Sequence, residues 1–392
     1  MTRYNTSMKR TYKTIIIGAG ASGLMLASLL PNKHDILLID SNAKIGAKLA
    51  ISGGGKCNLT NESVEASNYL GEAWFVESVL SRFDQEAVLA WFAQRGVVPQ
   101  IRSKGQYFCQ KSADEVIGVF RRALREADFA MGTRVTSVSK KNEAYMIETD
   151  QGSFMAENLV VASGGLSFPR IGASAIGYEI ATTFGHTITT TSPALVGFTV
   201  QPEQFFFKEL SGSSIEVVIH TEEKSFRGDL LFAHKGISGP VVLNASLYWQ
   251  KGQIEIDFIP DFEWSLIRGK KQLSTILPLP KKVAKAFLAH LKLTDKAAEN
   301  LTRQELKTLQ QLSHYRFAPA GTFGYNKAEV TRGGVKAVEV DCYTMMSLLE
   351  KNLYFTGEVL DITGELGGYN LQWAFSSAYV CAEAIKGGCL DV

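Results

Sequence analysis

The chain has 392 residues, 45% of them hydrophobic and 20% charged, the composition of an ordinary globular protein with room for two or three domains. Its 41 basic and 39 acidic residues leave a formal net charge of +2; with no Lys/Arg run to track a phosphate backbone, charge does not indicate nucleic acid, although a local patch can hide in a neutral total. No apolar run reaches the roughly 20 residues a membrane helix needs, and residues 1–13 lack the apolar core of a secretory signal and read as a loose arm.

The first element is a short apolar strand, TIIIG, running into GAGASG at 18–23. In such a loop Gly18 permits the tight turn, Gly20 lets a pyrophosphate approach the backbone, and Gly23 lets the next helix pack against the sheet. The helix beginning near Ala21 and Ser22 aims its free N–H groups and positive dipole end at phosphates. A second strand, DILLID, ends at Asp40, placed to accept hydrogen bonds from ribose hydroxyls; an acid there argues against a 2′-phosphate. Together these features predict a dinucleotide site. A second glycine cluster, ISGGGKCNLTN at 51–61, follows sooner than an ordinary nicotinamide-binding unit requires.

Residues 72–95 read as helical, and Ser112–Glu115 reads as a capping box before a helix carrying Val116, Val119, Phe120, Ala123 and Leu124 on one face. Strands at 133–140, 144–149 and 157–165 follow, a β-meander suited to the second half of a flavin-type rather than a nicotinamide-type fold. Residues 194–260 are strand-rich with no long helix, suggesting a small antiparallel sheet or barrel. Residues 262–313 turn helical, with a capping box at Thr302–Glu305, and the lysines of KKVAK at 281–285 read as a solvated face. Strand-like sequence returns at 314–330. The last 70 residues hold a strand with an acid-bearing turn at 351–361 and a glycine turn leading into a helix at 364–385. Two chain ends that build one site imply that the middle is inserted.

Five cysteines, Cys57, Cys109, Cys342, Cys381 and Cys389, show neither C-x-x-C nor metal-type spacing, and read as reduced thiols of a cytoplasmic protein.

Five ordered motifs, GAKLAISGGGKCNLTN, LVVASGGLSFPRIGASAIGYEIATTFGH, LLFAHKGISGPVVLNAS, EVTRGGV and LYFTGEVLDITGELGGYNLQWAFSSAYV, resemble those of the BaiN/YhiN-type bacterial flavoproteins, a group that includes the aminoacetone oxidase-like enzymes. The resemblance covers nearly the whole chain. It implies an α/β fold: a discontinuous Rossmann-type FAD-binding domain at 1–190 and 325–392, a β-barrel-like insert at 191–261 and 314–324, and a small helical insert at 262–313. It also implies roles for individual residues. Gly18, Gly20, Ala21, Ser22 and Gly23 would hold the pyrophosphate and Asp40 the adenosine ribose, with Val135 offering its backbone to adenine. Ser163, Gly164 and Gly165 would form a second FAD-contacting turn. Gly357 and Glu358, with Asp361 as a further candidate, would lie along the ribityl chain. Gly368, Tyr369, Asn370 and Leu371 would start a helix under the flavin pyrimidine, where the dipole stabilises reduced flavin. Lys48, Ser52, Gly53, Gly54, Cys57 and Asn58 would lie near the isoalloxazine. Where the family commonly has Arg-x-Phe-Pro, this chain has Gln106 and Cys109, which puts in doubt any role of that arginine in binding an acidic substrate.

Cys57 reads as packing beside the cofactor rather than as a redox group. His234 reads as a structural histidine on a strand or turn, His186 as a helix C-terminal residue, and Thr331 with Gly333 and Gly334 as backbone lining. Ser238 lacks the strand–elbow–helix setting of a hydrolase nucleophile. No obligatory acid or base stands out, and a flavin needs none to accept a hydride at N5. The reading is a cytoplasmic FAD-dependent oxidoreductase acting on a small-molecule substrate bound between the flavin and the inserts, with O2 or NAD(P)H in the other half-reaction. Neither nucleic acid nor membrane is expected as a partner. Two alternatives stay open: a flavoprotein acting on RNA, and a non-enzymatic FAD-binding sensor.

Overall fold

A computed structural model describes residues 10–387. The predicted arm at residues 1–9 and Cys389 lie outside the described residues. The chain divides into two compact units, one built from residues up to 192 and from 330 onward, the other from 193–329.

The first unit is organised on a seven-stranded sheet. Its strand order is Asp128–Met131, Ile36–Asp40, Thr11–Ile17, Gly152–Val161, Ala144–Thr149 and Val135–Lys141, with Leu353–Phe355 branching from Gly152–Val161. Four pairings are parallel and join Thr11–Ile17, Ile36–Asp40, Asp128–Met131, Gly152–Val161 and Leu353–Phe355. Such strands are buried on both faces and need continuous apolar runs; Ile15, Ile16, Leu37, Leu38, Leu159 and Val160 are fully buried. Gly152–Val161 changes partners along its length. Its first half pairs antiparallel with Ala144–Thr149, and its last three residues pair parallel with Leu353–Phe355. The register sets Ile17 against both Ile39 and Val161, and Val161 against Phe355. Four strands therefore end at one level, the carboxyl edge where ligands of open α/β sheets bind. Helix Ala21–Leu29 packs against the nineteen-residue helix Tyr369–Gly387, whose Trp373 and Phe375 are fully buried.

The second unit contains an antiparallel sheet in the order Tyr315–Phe317, Ile254–Asp257, Ser214–His220, Ser225–Ala233, Gly236–Ser238, Phe198–Thr199, Gly321–Thr322. In Ser225–Ala233 the residues Phe226, Gly228, Leu230 and Phe232 are buried and their neighbours are not, the period of two expected of a strand with one wet face. Helices Leu273–Ile276, Lys281–His290 and Arg303–Leu309 occupy the predicted helical stretch, and Val283, Phe287, Leu288, Leu309 and Leu312 join the core of this unit.

Several local expectations are corrected. The first strand begins at Thr11, so residues 11–13 are not part of a loose arm. The helix expected over 72–95 is two helices, Ala73–Leu80 and Gln85–Ala93; Asp84 interrupts the run by accepting the Ala87 N–H at 2.8 Å as an N-cap. A nine-residue helix, Pro240–Tyr248, stands in the region read as strands; Pro at its first position suits a helix start. At Ser112–Glu115 the box is displaced: the Ser112 hydroxyl accepts the Asp114 N–H at 3.2 Å, and Glu115 accepts the Lys111 N–H at 2.8 Å. Among the described residues no helix is long and apolar enough to cross a membrane.

The Thr302–Glu305 capping box forms in full. Thr302→Ala removes one half of it, and the expected cost in chemical denaturation is about 1 kcal/mol.

Candidate functional site

The carboxyl edge of the first sheet gathers residues from both ends of the chain. Gly18 takes a φ of +111°, and a Cβ there would run into the Ala162 carbonyl. A Cβ on Gly23 would run into the Gly18 carbonyl, so the helix start sits directly on the turn. Gly20 differs from both: its φ of −87° is open to any residue, and nothing lies within 4 Å of the place its Cβ would occupy. No side chain caps the helix that follows, which leaves the first-turn N–H groups of Ala21, Ser22 and Gly23 beside that open space. Asp40 holds the turn from the next strand. One carboxylate oxygen accepts the Ala19 N–H at 2.8 Å; the other accepts the Asn42 N–H at 2.8 Å and its side-chain amide at 2.9 Å. Val135 begins a strand close to this end, since the Thr133 N–H donates to the Asp40 carbonyl.

A second set of contacts closes the chain on itself. Glu358 accepts from the Lys48 ammonium at 2.6 Å with one oxygen and from the Thr331 N–H at 2.9 Å with the other. The Thr331 hydroxyl accepts the Leu166 and Ser167 N–H groups at 2.8 and 3.2 Å. A Cβ on Gly165 would come within 2.6 Å of the Thr331 Cβ and 2.8 Å of Glu358 Oε1. Four segments, around residues 48, 165, 331 and 358, thus meet at one carboxylate and one hydroxyl. The neighbouring Ser22 and Thr356 hydroxyls are 2.8 Å apart, and Gly357 turns with a φ of +75° while its N–H donates to the Ser377 hydroxyl at 3.0 Å.

The second glycine cluster is helical only at its start. Gly53, Gly54 and Gly55 all have positive φ, as does Cys57. A Cβ on Gly53 would lie 2.9 Å from the Phe108 ring; Gly54, like Gly20, faces open space. Ser52 donates to the Leu49 carbonyl at 2.7 Å, and the side-chain amides of Asn58 and Gln106 meet at 2.7 Å. Gln106 therefore faces the glycine cluster at the position where the family commonly has arginine. The start of the long helix packs on the strand Asn58–Asn61 that follows the cluster: a Cβ on Gly368 would lie 2.6 Å from the Thr60 carbonyl, and Thr60 donates to Gln372 at 2.6 Å. Asn370 turns its side chain back, accepting the Gly364 N–H and donating to the Gly364 carbonyl. Leu371 packs against the core. Asp361 is tied by its N–H to the Val335 carbonyl, with no side-chain bond in the Glu358 network.

Three features escape sequence reasoning. Cys57 has a partner, for Cys109 lies just beyond the ladder that pairs Asn58 with Phe108, its N–H directed to the Lys56 and Cys57 carbonyls at 2.9 and 3.4 Å, and both cysteines are fully buried. The Cys109 thiol and burial push the Cys57 thiol well above its ordinary range, which disfavours a thiolate and suits a packing role. Gln372, buried in the last helix, ties Thr60, the Phe83 carbonyl and Ser376 together. His186 is buried: its Nε2 meets the Ser347 hydroxyl at 2.7 Å, and its Nδ1 lies 3.2 Å from Glu339. Its backbone N–H closes the end of helix Ile176–Thr183, as its position suggests, but the side-chain network joins residues 161 apart in sequence. In the second unit, His234 lies exposed in the turn between Ser225–Ala233 and Gly236–Ser238.

Burial lowers the His186 pKa below 6.5, against the opposing pull of Glu339. The unfolded chain therefore binds the proton more readily, and the contribution to stability is complete above pH 6.5 and lost as pH falls below it. Melting temperature should drop between pH 7.5 and 5.5, and His186→Gln should flatten that profile.

The profile of the HI0933-like protein Rossmann domain matches residues 12–384. A ribosomal RNA dihydrouridine synthase of Haemophilus influenzae is 37% identical over 97% of this chain and 100% of its own length. The protein of the same name from Escherichia coli is 36% identical over 95% and 97%. A 3-dehydro-bile acid delta(4,6)-reductase of Clostridium scindens is 30% identical over 94% and 98%. Among solved structures, a 3-ketosteroid delta1-dehydrogenase from Sterolibacterium denitrificans shares the fold with a TM-score of 0.52 at 13% identity, over 97% of this chain and 100% of that one.

Proposed function

The chain belongs to the HI0933-like Rossmann-domain family, and from that premise we propose an FAD-dependent oxidoreductase that moves a hydride between flavin N5 and a small organic substrate. The observation that carries this reading is the open Gly20 turn. A backbone that needs no glycine conformation there, with free space beside it and an uncapped helix start behind it, is a binding site for a pyrophosphate. Gly18 through Gly23 would hold that group. Asp40 has acceptor capacity left for a ribose, and Gly357 and Glu358 stand near Ser22 for the chain that follows. The Gly368–Tyr369 helix start and the 52–58 loop are the candidate walls of the ring site.

Bound FAD would supply hydride exchange at N5. The protein's part is binding, orientation and electrostatics. The start of helix Tyr369–Gly387 presents N–H groups and a positive dipole end. The Lys48–Glu358–Thr331 link fixes the turns at 165 and 358 relative to each other. Cys57, its thiol pushed up by Cys109 and by burial, stays protonated as a packing group. O2 or NAD(P)H completes the cycle.

The relatives support a sharper substrate class. A dihydrouridine synthase and a delta(4,6)-reductase both saturate carbon–carbon double bonds, in a uracil ring and in a bile-acid skeleton. A double bond activated by a conjugated carbonyl is the shared chemistry, since hydride adds to its electron-poor end. A second reading, in which that bond belongs to a uracil within RNA, is favoured by the two relatives named for ribosomal RNA.

The test is anaerobic stopped-flow on the purified yellow protein. NAD(P)H should bleach the flavin band, and a small enone or an RNA lacking dihydrouridine should restore it, with the reduced product identified by mass spectrometry. Protein that neither holds nor takes up FAD would overturn the proposal.

Gly20→Val should weaken FAD retention by about a hundredfold, roughly 2.8 kcal/mol, with an unchanged melting temperature for the FAD-free protein, because the backbone there suits valine. Gly18→Val and Gly23→Val should instead lower that melting temperature.

A further inference from the structure

The near-neutral total hides a strongly basic segment. Residues 262–313 carry ten basic and four acidic side chains, a net of +6; with the chain at +2, the remaining residues sum to −4. From 264 to 294 there are seven basic residues, Arg268, Lys270, Lys271, Lys281, Lys282, Lys285 and Lys292, and not one acid. All seven are exposed.

A solvated helix face ordinarily mixes charges of both signs. Here two of the segment's four acids are engaged within the fold, while Glu263 and Glu299 stay exposed and leave the basic residues in excess. Glu305 is spent on Lys296, with which it pairs at 2.8 Å, and on the Thr302 cap. Asp295 is occupied in capping Ser274, accepting its N–H at 3.0 Å and its hydroxyl at 2.6 Å. By contrast, Lys270, Lys271, Lys285 and Lys292 make no ion pair within 4 Å among the described residues, and the Lys282 ammonium donates to a neutral carbonyl, that of Glu209.

The basic residues are also neighbours in space. The loop carrying Lys270 and Lys271 is stitched to 296–299, through Ala298 N–H to Lys271 O and Glu299 N–H to Gly269 O. Leu273 donates to Lys296 O, and the charges of Lys281 and Lys285 both act on Asp295. Loop 268–271 and helix Lys281–His290 therefore flank one short stretch, 295–299. The opposite face of that helix, Val283, Ala284, Phe287 and Leu288, is sunk in the core of the second unit. The lysine face is thus held outward by packing, a rigid array of cations.

We propose that this face, centred on Lys270, Lys271, Lys281 and Lys285, binds the phosphate backbone of RNA. Several exposed cations in excess over nearby acids, on a rigid support, suit a polyanion, because each phosphate contact releases condensed counterions and the gain adds across contacts. A single small anionic substrate would need convergent, buried donors instead. The proposal rests on the RNA reading of the substrate and assigns it a surface: the second unit supplies sequence-independent grip.

The experiment is filter binding of the FAD-loaded full chain to deproteinised ribosomal RNA across a salt series. The wild type should bind with a steep salt dependence. The triple variant K270Q/K271Q/K285Q should bind more weakly at low salt, with the slope of log K against log salt shallower by about 2, the value for three phosphate contacts on single-stranded RNA at roughly 0.7 each. Lysine-to-arginine changes at the same positions should preserve binding, as should neutralising Lys208, Lys235 and Lys327 elsewhere on the unit. Flavin content and NAD(P)H-driven bleaching, measured on each sample, should be unchanged. RNA binding absent from a flavin-replete wild type, or undiminished in a folded triple variant, would overturn the inference while leaving the flavin reading intact. So would preferential binding to anionic phosphatidylglycerol vesicles. RNA binding by a protein that takes up no FAD would instead sink the flavin reading alone.

Discussion

The strand Gly152–Val161 is the constraint on which the nucleotide-binding unit depends. It pairs parallel with Thr11–Ile17 on one edge, and on the other it pairs first with a meander strand and then with Leu353–Phe355. One strand thereby carries the first and last portions of the chain at a common level. Because Ile17, Ile39, Val161 and Phe355 end in step, the turns after them open on the same side. Slipping one of these strands by a residue would turn its buried side chains to the opposite face, and apolar packing on both faces makes that costly.

That register explains why the turns are so rich in glycine and why the glycines are not equivalent. Gly18, Gly23 and Gly368 sit where a backbone carbonyl leaves no room for a Cβ, and Gly165 where the Thr331 and Glu358 side chains leave none; they serve the fold. Gly20 and Gly54 sit against empty space. The Glu358 carboxylate then joins Lys48 to Thr331, so three turns far apart in sequence hold one another in place. A half-buried charge paired on both oxygens is a specific lock, since loss of either partner leaves an uncompensated group behind.

Much of this was legible in the residues. A strand that runs into spaced glycines and ends two elements later in an acid can be read locally, because φ preferences and helix-start chemistry act over a few residues. The same holds for Thr302 and Glu305, three positions apart. The interruption at Ser81–Asp84 was missed because the apolar positions on either side keep helical spacing across it, and only the Asp84 cap marks the break. Cys109, Gln372 and His186 were missed for a different reason. Each acts on a partner between 52 and 312 positions away, brought within reach only by the tertiary fold. The basic face was half visible: the lysines of KKVAK can be counted in sequence, but that Asp295 and Glu305 are already engaged cannot.

By itself the sequence determined the dinucleotide loop, the acid at its far end, the change from sheet to helix in the middle of the chain, and the family to which the motifs belong. These rest on local conformational preference and on the order of short patterns. Tertiary structure alone decided which glycines are structural and which leave space for a ligand, which carboxylates stay free, and which thiol lies against which. Those depend on what approaches from elsewhere in the chain, and a linear pattern carries no record of distance.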